Sequence, residues 1–143
     1  MNWKTCTEDG LIVKESTAQS RIPVAVEAGE RFFHAAERTR GIGEYEMAHL
    51  AAYNSVFHCA RAFLFSRGYT ERSHVCIVIA LRHLYPRDFR FLAYLSTLDK
   101  MRISRHNVQY GATRVTLEEA EFSCRFAGEF LEFTRSSLAG TIR

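Results

Sequence analysis

The chain has 143 residues, enough for one domain with a sizeable hydrophobic core, and residues 1–143 are taken as a single domain. Its net charge of +3 is compatible with a nucleic-acid partner but too weak to require one. Only 2 prolines and 8 glycines argue against a loop-rich chain, and no stretch is long and apolar enough to predict a membrane span.

The cysteines and the N-terminal segment indicate a reducing compartment. None of the four cysteines forms a CxxC pair, and Cys59, Cys76 and Cys124 lie in apolar helical patterns, where a buried free thiol is the default state. The first ten residues contain no apolar core of a signal peptide. We therefore predict a cytoplasmic protein.

The first half of the chain predicts a short lead-in helix followed by two long helices. The first long helix is expected over about 20–40, where Pro23 fits the first turn and the glycines at 41 and 43 end the pattern. The second, over about 44–67, is the most apolar, so we place it at the centre of a bundle. Its predicted apolar surface consists of Met47, Leu50, Tyr53, Val56, Phe57, Ala60, Phe63 and Leu64.

The second half of the chain predicts three more helices. Ser73 is a good N-cap for a helix that Pro86 ends, although its β-branched residues leave a strand conceivable. The next helix spans about 88–109, and a capping box of Thr116 and Glu119 opens the last. The apolar face of the last helix consists of Ala120, Phe122, Phe126, Ala127, Phe130 and Phe133, and residues 138–143 are expected to fray. Helices joined by short breaks predict an all-α, up-and-down helical bundle.

Polar side chains gather at the end of the helix over 88–109. At about 100° per residue, Arg105 lies roughly 20° from Leu98 around the helix axis, and Arg102 lies about 40° away on the other side. Guanidinium groups match phosphate oxygens, so this end of the helix predicts a phosphate site. The neighbouring polar side chains are His106, Asn107 and Tyr110. In the alternative interpretation, the helix extends beyond the core and the arginines are exposed to water.

A second polar stripe lies on the central helix. Asn54, His58 and Arg61 recur at four and then three residues, so they share a face. If the two stripes meet at one end of the bundle, His58 or His106 could act as an acid or base beside arginines that stabilise a charged transition state. A structural role for each histidine is the alternative. The six histidines lack metal-binding spacings, so we predict neither a metal nor a cofactor.

The order of several short motifs resembles the small stand-alone HEPN-domain proteins. The motifs are Ala52-Tyr53, Phe57-His58, Ala60-Arg61-Ala62 and Gly68-Tyr69, followed by Ser73-His74. This resemblance implies four core helices plus a short extra helix, and a homodimer. It also implies a metal-independent RNase, often a toxin encoded beside a minimal nucleotidyltransferase antitoxin.

One position departs from the active-site pattern of that family. Arg105 matches the motif arginine that holds the scissile phosphate, and His106 occupies the polar position after it. Tyr110 stands where the catalytic histidine is expected, and a tyrosine with a pKa of about 10 is a poor base at neutral pH. Either His106 substitutes for that histidine, or the site binds RNA without cutting it.

Three hypotheses follow from the sequence. In the first, the protein is a dimeric HEPN ribonuclease toxin. In the second, it is a non-catalytic module that binds RNA, a nucleotide or a nucleotidyltransferase. In the third, it is a structural bundle without a ligand. The predicted catalytic residues are Arg105, His106 and Tyr110. The predicted RNA- or nucleotide-binding residues are Arg102, Asn107, Asn54, His58 and Arg61.

Overall fold

A computed structural model describes residues 1–141, and in this range the chain forms six α-helices and one two-stranded sheet. The helices are α1 (Trp3–Glu8), α2 (Ile22–Gly41), α3 (Tyr45–Ser66), α4 (His74–Leu84), α5 (Phe89–Gly111) and α6 (Leu117–Ser137). The strands are β1 (Ile12–Lys14) and β2 (Tyr69–Glu71), and a 3₁₀ turn over Ala18–Arg21 precedes α2. The predicted all-α bundle is confirmed.

Helix α3 lies at the centre, as its apolar surface predicts, and packs against α2, α4, α5 and α6. It packs closely against α2 at Gly29, where an added Cβ would stand 2.7 Å from the sulfur of Cys59. The hydroxyl of Ser55 donates a hydrogen bond to the Gly29 carbonyl at 2.7 Å. A side chain at position 29 would therefore push the two helices apart.

Side-chain caps confirm the predicted starts of α4, α5 and α6. The Ser73 hydroxyl accepts a hydrogen bond from the amide of Cys76 at 3.2 Å, so the segment after it is a helix and not a strand. The carboxylate of Asp88 caps α5 in the same way. Thr116 and Glu119 form the predicted capping box of α6.

The two-stranded sheet was not predicted. Strand β1 pairs antiparallel with β2, with Ile12 opposite Glu71 and Lys14 opposite Tyr69. Strands of three residues are too short to show the alternation of apolar and polar residues that identifies a strand in a sequence. The sheet places Glu71 beside Arg61 in the second half of α3.

The free-thiol prediction is wrong for one cysteine. Cys76 in α4 forms a disulfide with Cys6 in α1, whereas Cys59 and Cys124 are free and buried as predicted. The partner of Cys76 lies 70 residues away in the sequence, so helical periodicity alone does not reveal it. Cys6 and Cys76 therefore do not support the prediction of a reducing compartment.

Two predicted core residues lie at the surface instead. Met47 is 53% exposed and Phe122 is 48% exposed, because periodicity shows which face of a helix is apolar but not where a neighbouring helix stops covering it. Leu138 is buried rather than frayed, and residues 142 and 143 lie outside the described residues. Within residues 1–141, no helix has the length and apolar character needed to cross a membrane.

Candidate functional site

Arg105 lies against the central helix. Its guanidinium carbon is 5.3 Å from the centroid of the Tyr53 ring, and the side chain is half-buried. This placement follows from the angular position of Arg105 on α5, since Leu98 on the same face is buried against the core. The guanidinium therefore rests on an aromatic surface at one end of the bundle.

Tyr53 contacts Arg105 through its ring and His74, which was not predicted to be a site residue, through its hydroxyl. Tyr53 is 1% exposed, and its hydroxyl oxygen lies 2.7 Å from Nδ1 of His74. The His74 ring stacks on Phe57, with ring centroids 3.9 Å apart. Burial raises the pKa of Tyr53 to about 12, although Arg105 and Arg102 oppose this, so the phenol stays protonated at neutral pH.

His74 is the first residue of α4, directly after the N-cap Ser73. Burial lowers the pKa of His74, and the positive charges of Arg105, Arg102 and Arg61 lower it further. An ordinary histidine has a pKa of about 6.5, so His74 is neutral at neutral pH. A neutral imidazole held by one ring nitrogen can exchange a proton through the other.

Arg61 lies about two turns further along α3 than Tyr53 and forms an ion pair there. Its Nε lies 2.8 Å from a carboxylate oxygen of Glu71 on β2, and its guanidinium carbon lies 5.1 Å from the centroid of the Phe65 ring. Burial raises the pKa of Glu71, and Arg61 opposes the increase. The Glu71 side chain is 8% exposed, so this ion pair is largely shielded from water.

His58 packs between Arg61 and α2. Its Nδ1 is 3.4 Å from an Arg61 nitrogen, and its ring stacks on Phe32 at a centroid distance of 5.4 Å. Burial, followed by the charges of Arg61 and Arg31, lowers the pKa of His58 to about 4. His58 is therefore a weak base at neutral pH.

The site carries one positive charge without a carboxylate partner. Arg61 pairs with Glu71, and Arg102 pairs with Asp99 at 3.1 Å. Within residues 1–141, no carboxylate lies within 4.0 Å of Arg105. The excess charge suits an anionic ligand such as a phosphate group.

The last turns of α5 present the other predicted residues to solvent. Tyr110 is 68% exposed, and its ring contacts that of His106 at a centroid distance of 5.0 Å. Asn107 is exposed, and its carbonyl accepts hydrogen bonds from the backbone after the helix. Asn54 is half-buried on α3. Among residues 1–141, no ring contact or hydrogen bond joins Tyr110 to α3.

The sequence places Tyr53 and His74 in the motifs that carry the family resemblance, but neither was predicted to be a site residue. Tyr53 and Phe57 precede Arg61 at four-residue intervals, so they share a face of α3 with this member of the predicted polar stripe. An N-cap at Ser73 also places His74 at a helix start, which was visible in the sequence. That these two features meet depends on the packing of α4 on α3, which periodicity does not provide.

The described part of the chain, residues 1–141, contains no cluster of three His, Cys, Asp or Glu side chains able to hold a metal ion. Comparison with curated proteins gives no match. The sequence model of the HEPN domain matches residues 24–137, from the first turn of α2 to the last residue of α6. With most of its length matched, the chain belongs to the HEPN-domain family.

Proposed function

We propose that this HEPN-domain protein binds RNA or a nucleotide by holding a phosphate group at Arg105, with Arg102 beside it. One observation carries the proposal: Arg105 is half-buried on Tyr53 and has no carboxylate partner within residues 1–141. A partly desolvated cation without a counterion gains more from an anion than a fully exposed one. Asn54, His58 and Arg61 extend the polar surface along α3 toward the next nucleotide.

The finer proposal is a metal-independent endoribonuclease that acts as a toxin in a toxin–antitoxin or defence system. Arg105 then stabilises the negative charge that develops on the scissile phosphate. His106 and Tyr110 contact each other in the last turns of α5 and remain its proposed catalytic partners. Because Tyr110 stands where the family motif has its histidine, cleavage and binding are measured separately.

The alternative is a non-catalytic module that binds a minimal nucleotidyltransferase. The exposed side chains of α5 favour it, because Ile103 is 50% exposed and Tyr110 is 68% exposed. Apolar and aromatic side chains at a surface are typical of protein interfaces. On this alternative, the end of α5 contacts the partner and the protein leaves RNA intact.

The proposed assembly is a homodimer in the cytoplasm, where a minimal nucleotidyltransferase acts as the antitoxin. The Cys6–Cys76 disulfide counts against the cytoplasm, because disulfides are rare in reducing compartments. Titrating the thiols of protein taken directly from its host cells tests the location. Four reactive thiols in the denatured protein support a reducing compartment, and two support an oxidising one.

Binding of a fluorescent oligoribonucleotide by Arg105→Ala tests the proposed function. We expect a loss of about 1.5–3 kcal/mol, the scale of a charge-assisted hydrogen bond, and a smaller dependence of binding on salt. Arg87→Ala is the matched control, because Arg87 is exposed just before the start of α5, at the opposite end of that helix from Arg105. Equal affinities of the parent and Arg105→Ala would show that the phosphate does not bind there.

A further inference from the structure

We propose that His74 accepts the proton of the ribose 2′-hydroxyl during RNA cleavage, and that Tyr53 is the positioning residue that orients it. This inference rests on the proposed function and deepens it. It assigns the proton transfer to the start of α4 rather than to the last turns of α5.

The geometry brings the imidazole and the phosphate-binding arginine onto the same phenol. Tyr53 contacts the Arg105 guanidinium through its ring at 5.3 Å and His74 Nδ1 through its hydroxyl at 2.7 Å. Phe57 fixes the plane of the His74 ring, since the two rings are stacked 3° from parallel. A phosphate held by Arg105 therefore places its ribose close to an imidazole whose orientation is already set.

The hydrogen bond to Tyr53 decides which nitrogen of His74 is free. Nδ1 faces the Tyr53 hydroxyl, and Nε2 has no hydrogen-bond partner within residues 1–141. When Nδ1–H donates to the phenol oxygen, Nε2 keeps its lone pair and can accept a proton. Burial and the charges of Arg105, Arg102 and Arg61 lower the pKa of His74, which keeps this base in its neutral form.

The proposed cleavage needs no reagent other than water. Nε2 of His74 takes the 2′-hydroxyl proton as the 2′-oxygen attacks phosphorus, and Arg105 pairs with a non-bridging phosphate oxygen. The bond between phosphorus and the 5′-oxygen breaks, and that oxygen takes a proton from water. The products are a 2′,3′-cyclic phosphate and a 5′-hydroxyl, and the imidazolium then returns its proton to the hydroxide.

The other histidines near the site are less suited to this role. His58 has a pKa of about 4 and packs between Arg61 and Phe32. His106 is exposed, and its ring contacts only Tyr110 among the rings of residues 1–141. Within residues 1–141, no ring contact or hydrogen bond joins His106 to Arg105 or Tyr53.

The test is single-turnover cleavage of a fluorescent oligoribonucleotide that contains all four bases, with binding measured in parallel. We expect His74→Asn, whose amide can replace Nδ1 beside Tyr53, to slow cleavage by about 10²–10⁴-fold with nearly unchanged affinity. His83→Asn is the matched control, because His83 is exposed at the other end of α4 and stacks on Trp3, and it should cleave within a few-fold of the parent. His106→Asn tests the competing assignment of the proton transfer to α5. A DNA oligonucleotide of the same sequence should stay intact, because it lacks the 2′-hydroxyl.

Tyr53→Phe keeps the ring under Arg105 and removes only the hydroxyl, so it tests the positioning role. We expect cleavage to slow by about three- to tenfold, the scale of one hydrogen bond, with KM unchanged and the acidic limb of the pH–rate profile displaced. In the parent, the rate should rise with pH below about 6.5 and then level off. This profile also tests His74 if His74→Asn does not fold.

The outcomes separate the two proposals. A parent protein that binds RNA through Arg105 but leaves it intact overturns the role of His74 and leaves the binding function standing. Full cleavage by His74→Asn, or loss of cleavage in His106→Asn alone, also overturns it. A parent that does not bind RNA or nucleotides overturns the proposed function itself.

Discussion

Phe57 serves both the core and the site. It is 9% exposed on α3, and its ring stacks on His74. Truncating a large buried ring removes its contacts and leaves a cavity, so Phe57→Ala should lower the free energy of unfolding by about 3–5 kcal/mol. Urea denaturation measures the loss.

The matched control for Phe57→Ala is Phe89→Ala, because Phe89 opens α5 and is 79% exposed. The same truncation at this surface position should change the free energy of unfolding by no more than about 0.5 kcal/mol. Similar losses at both positions would contradict the burial of Phe57.

Three partly or fully buried histidines make stability depend on pH. Burial is the first cause that lowers the pKa of His49, His58 and His74, and for His58 the pKa falls to about 4. The unfolded chain, with histidine pKa values of about 6.5, then binds more protons than the folded one. The free energy of unfolding should be steady above about pH 6.5 and fall between about pH 6.5 and 4.

Urea denaturation across this pH range measures the effect, with a slope of at most about 1.4 kcal/mol per pH unit for each histidine. His49→Gln should reduce the slope, because His49 is 4% exposed and bonded to Ser123 Oγ at 2.8 Å. Gln109→Ala is the control at an exposed position without a titratable side chain and should leave the slope unchanged. Stability that is constant down to about pH 4 would contradict the burial of these rings.

The sequence predicts which face of α5 carries Arg105, but it does not predict which residue Arg105 contacts. The angle between Leu98 and Arg105 follows from helix geometry alone, so the arginine was expected to share the face of the buried leucine. The ring that it meets belongs to α3, and no local pattern pairs α5 with Tyr53. Tyr110 was expected near Arg105, but its ring contacts His106 and is mostly exposed.

At the scale of elements, α1 is attached to the bundle by the disulfide between Cys6 and Cys76. The link closes a loop of 70 residues in sequence separation, so it restricts the unfolded chain strongly. Cys6→Ser should therefore lower the free energy of unfolding by about 4 kcal/mol relative to the oxidised parent. Denaturation without reductant measures the difference.

Reduction of the parent should reproduce the loss, and Cys6→Ser should not respond to reductant. Cys124→Ala is the control, because Cys124 is a free thiol and its loss leaves the disulfide in place. A parent whose stability does not change on reduction would show that this link does not form in solution.

Sequence signals within one segment predict the helices but not the contacts between distant segments. Caps and helical periodicity predict every helix from α2 to α6 to within a few residues, because those signals lie within each helix. Strands β1 and β2 and the disulfide were missed, since each depends on two segments far apart in the sequence. The surface positions of Met47 and Phe122 were missed for the same reason, because neighbouring helices decide what is covered.

Helix α5 is mostly exposed in its last turns, although Val108 still packs against the core. Its last buried residue is Met101, although the helix continues to Gly111. The turns after Met101 expose Ile103 and Tyr110 on the same helix that carries Arg105. Ile103 and Tyr110 lie about 20° apart around the helix axis, on the side opposite Arg105, so a partner surface that covers them would contact α5 away from the candidate site.

We predict that the partner is a second copy of the chain, because the family resemblance implies a homodimer and symmetric pairs are the commonest assemblies. Light scattering at micromolar concentration should give a mass of twice 16.4 kDa. Ile103→Glu should shift the protein toward monomer, since it buries a charge in the contact. Ile42→Glu, at a 77% exposed position after α2, is the control and should remain dimeric. A monomeric parent, or an Ile103→Glu variant as dimeric as the control, would exclude α5 from a dimer interface.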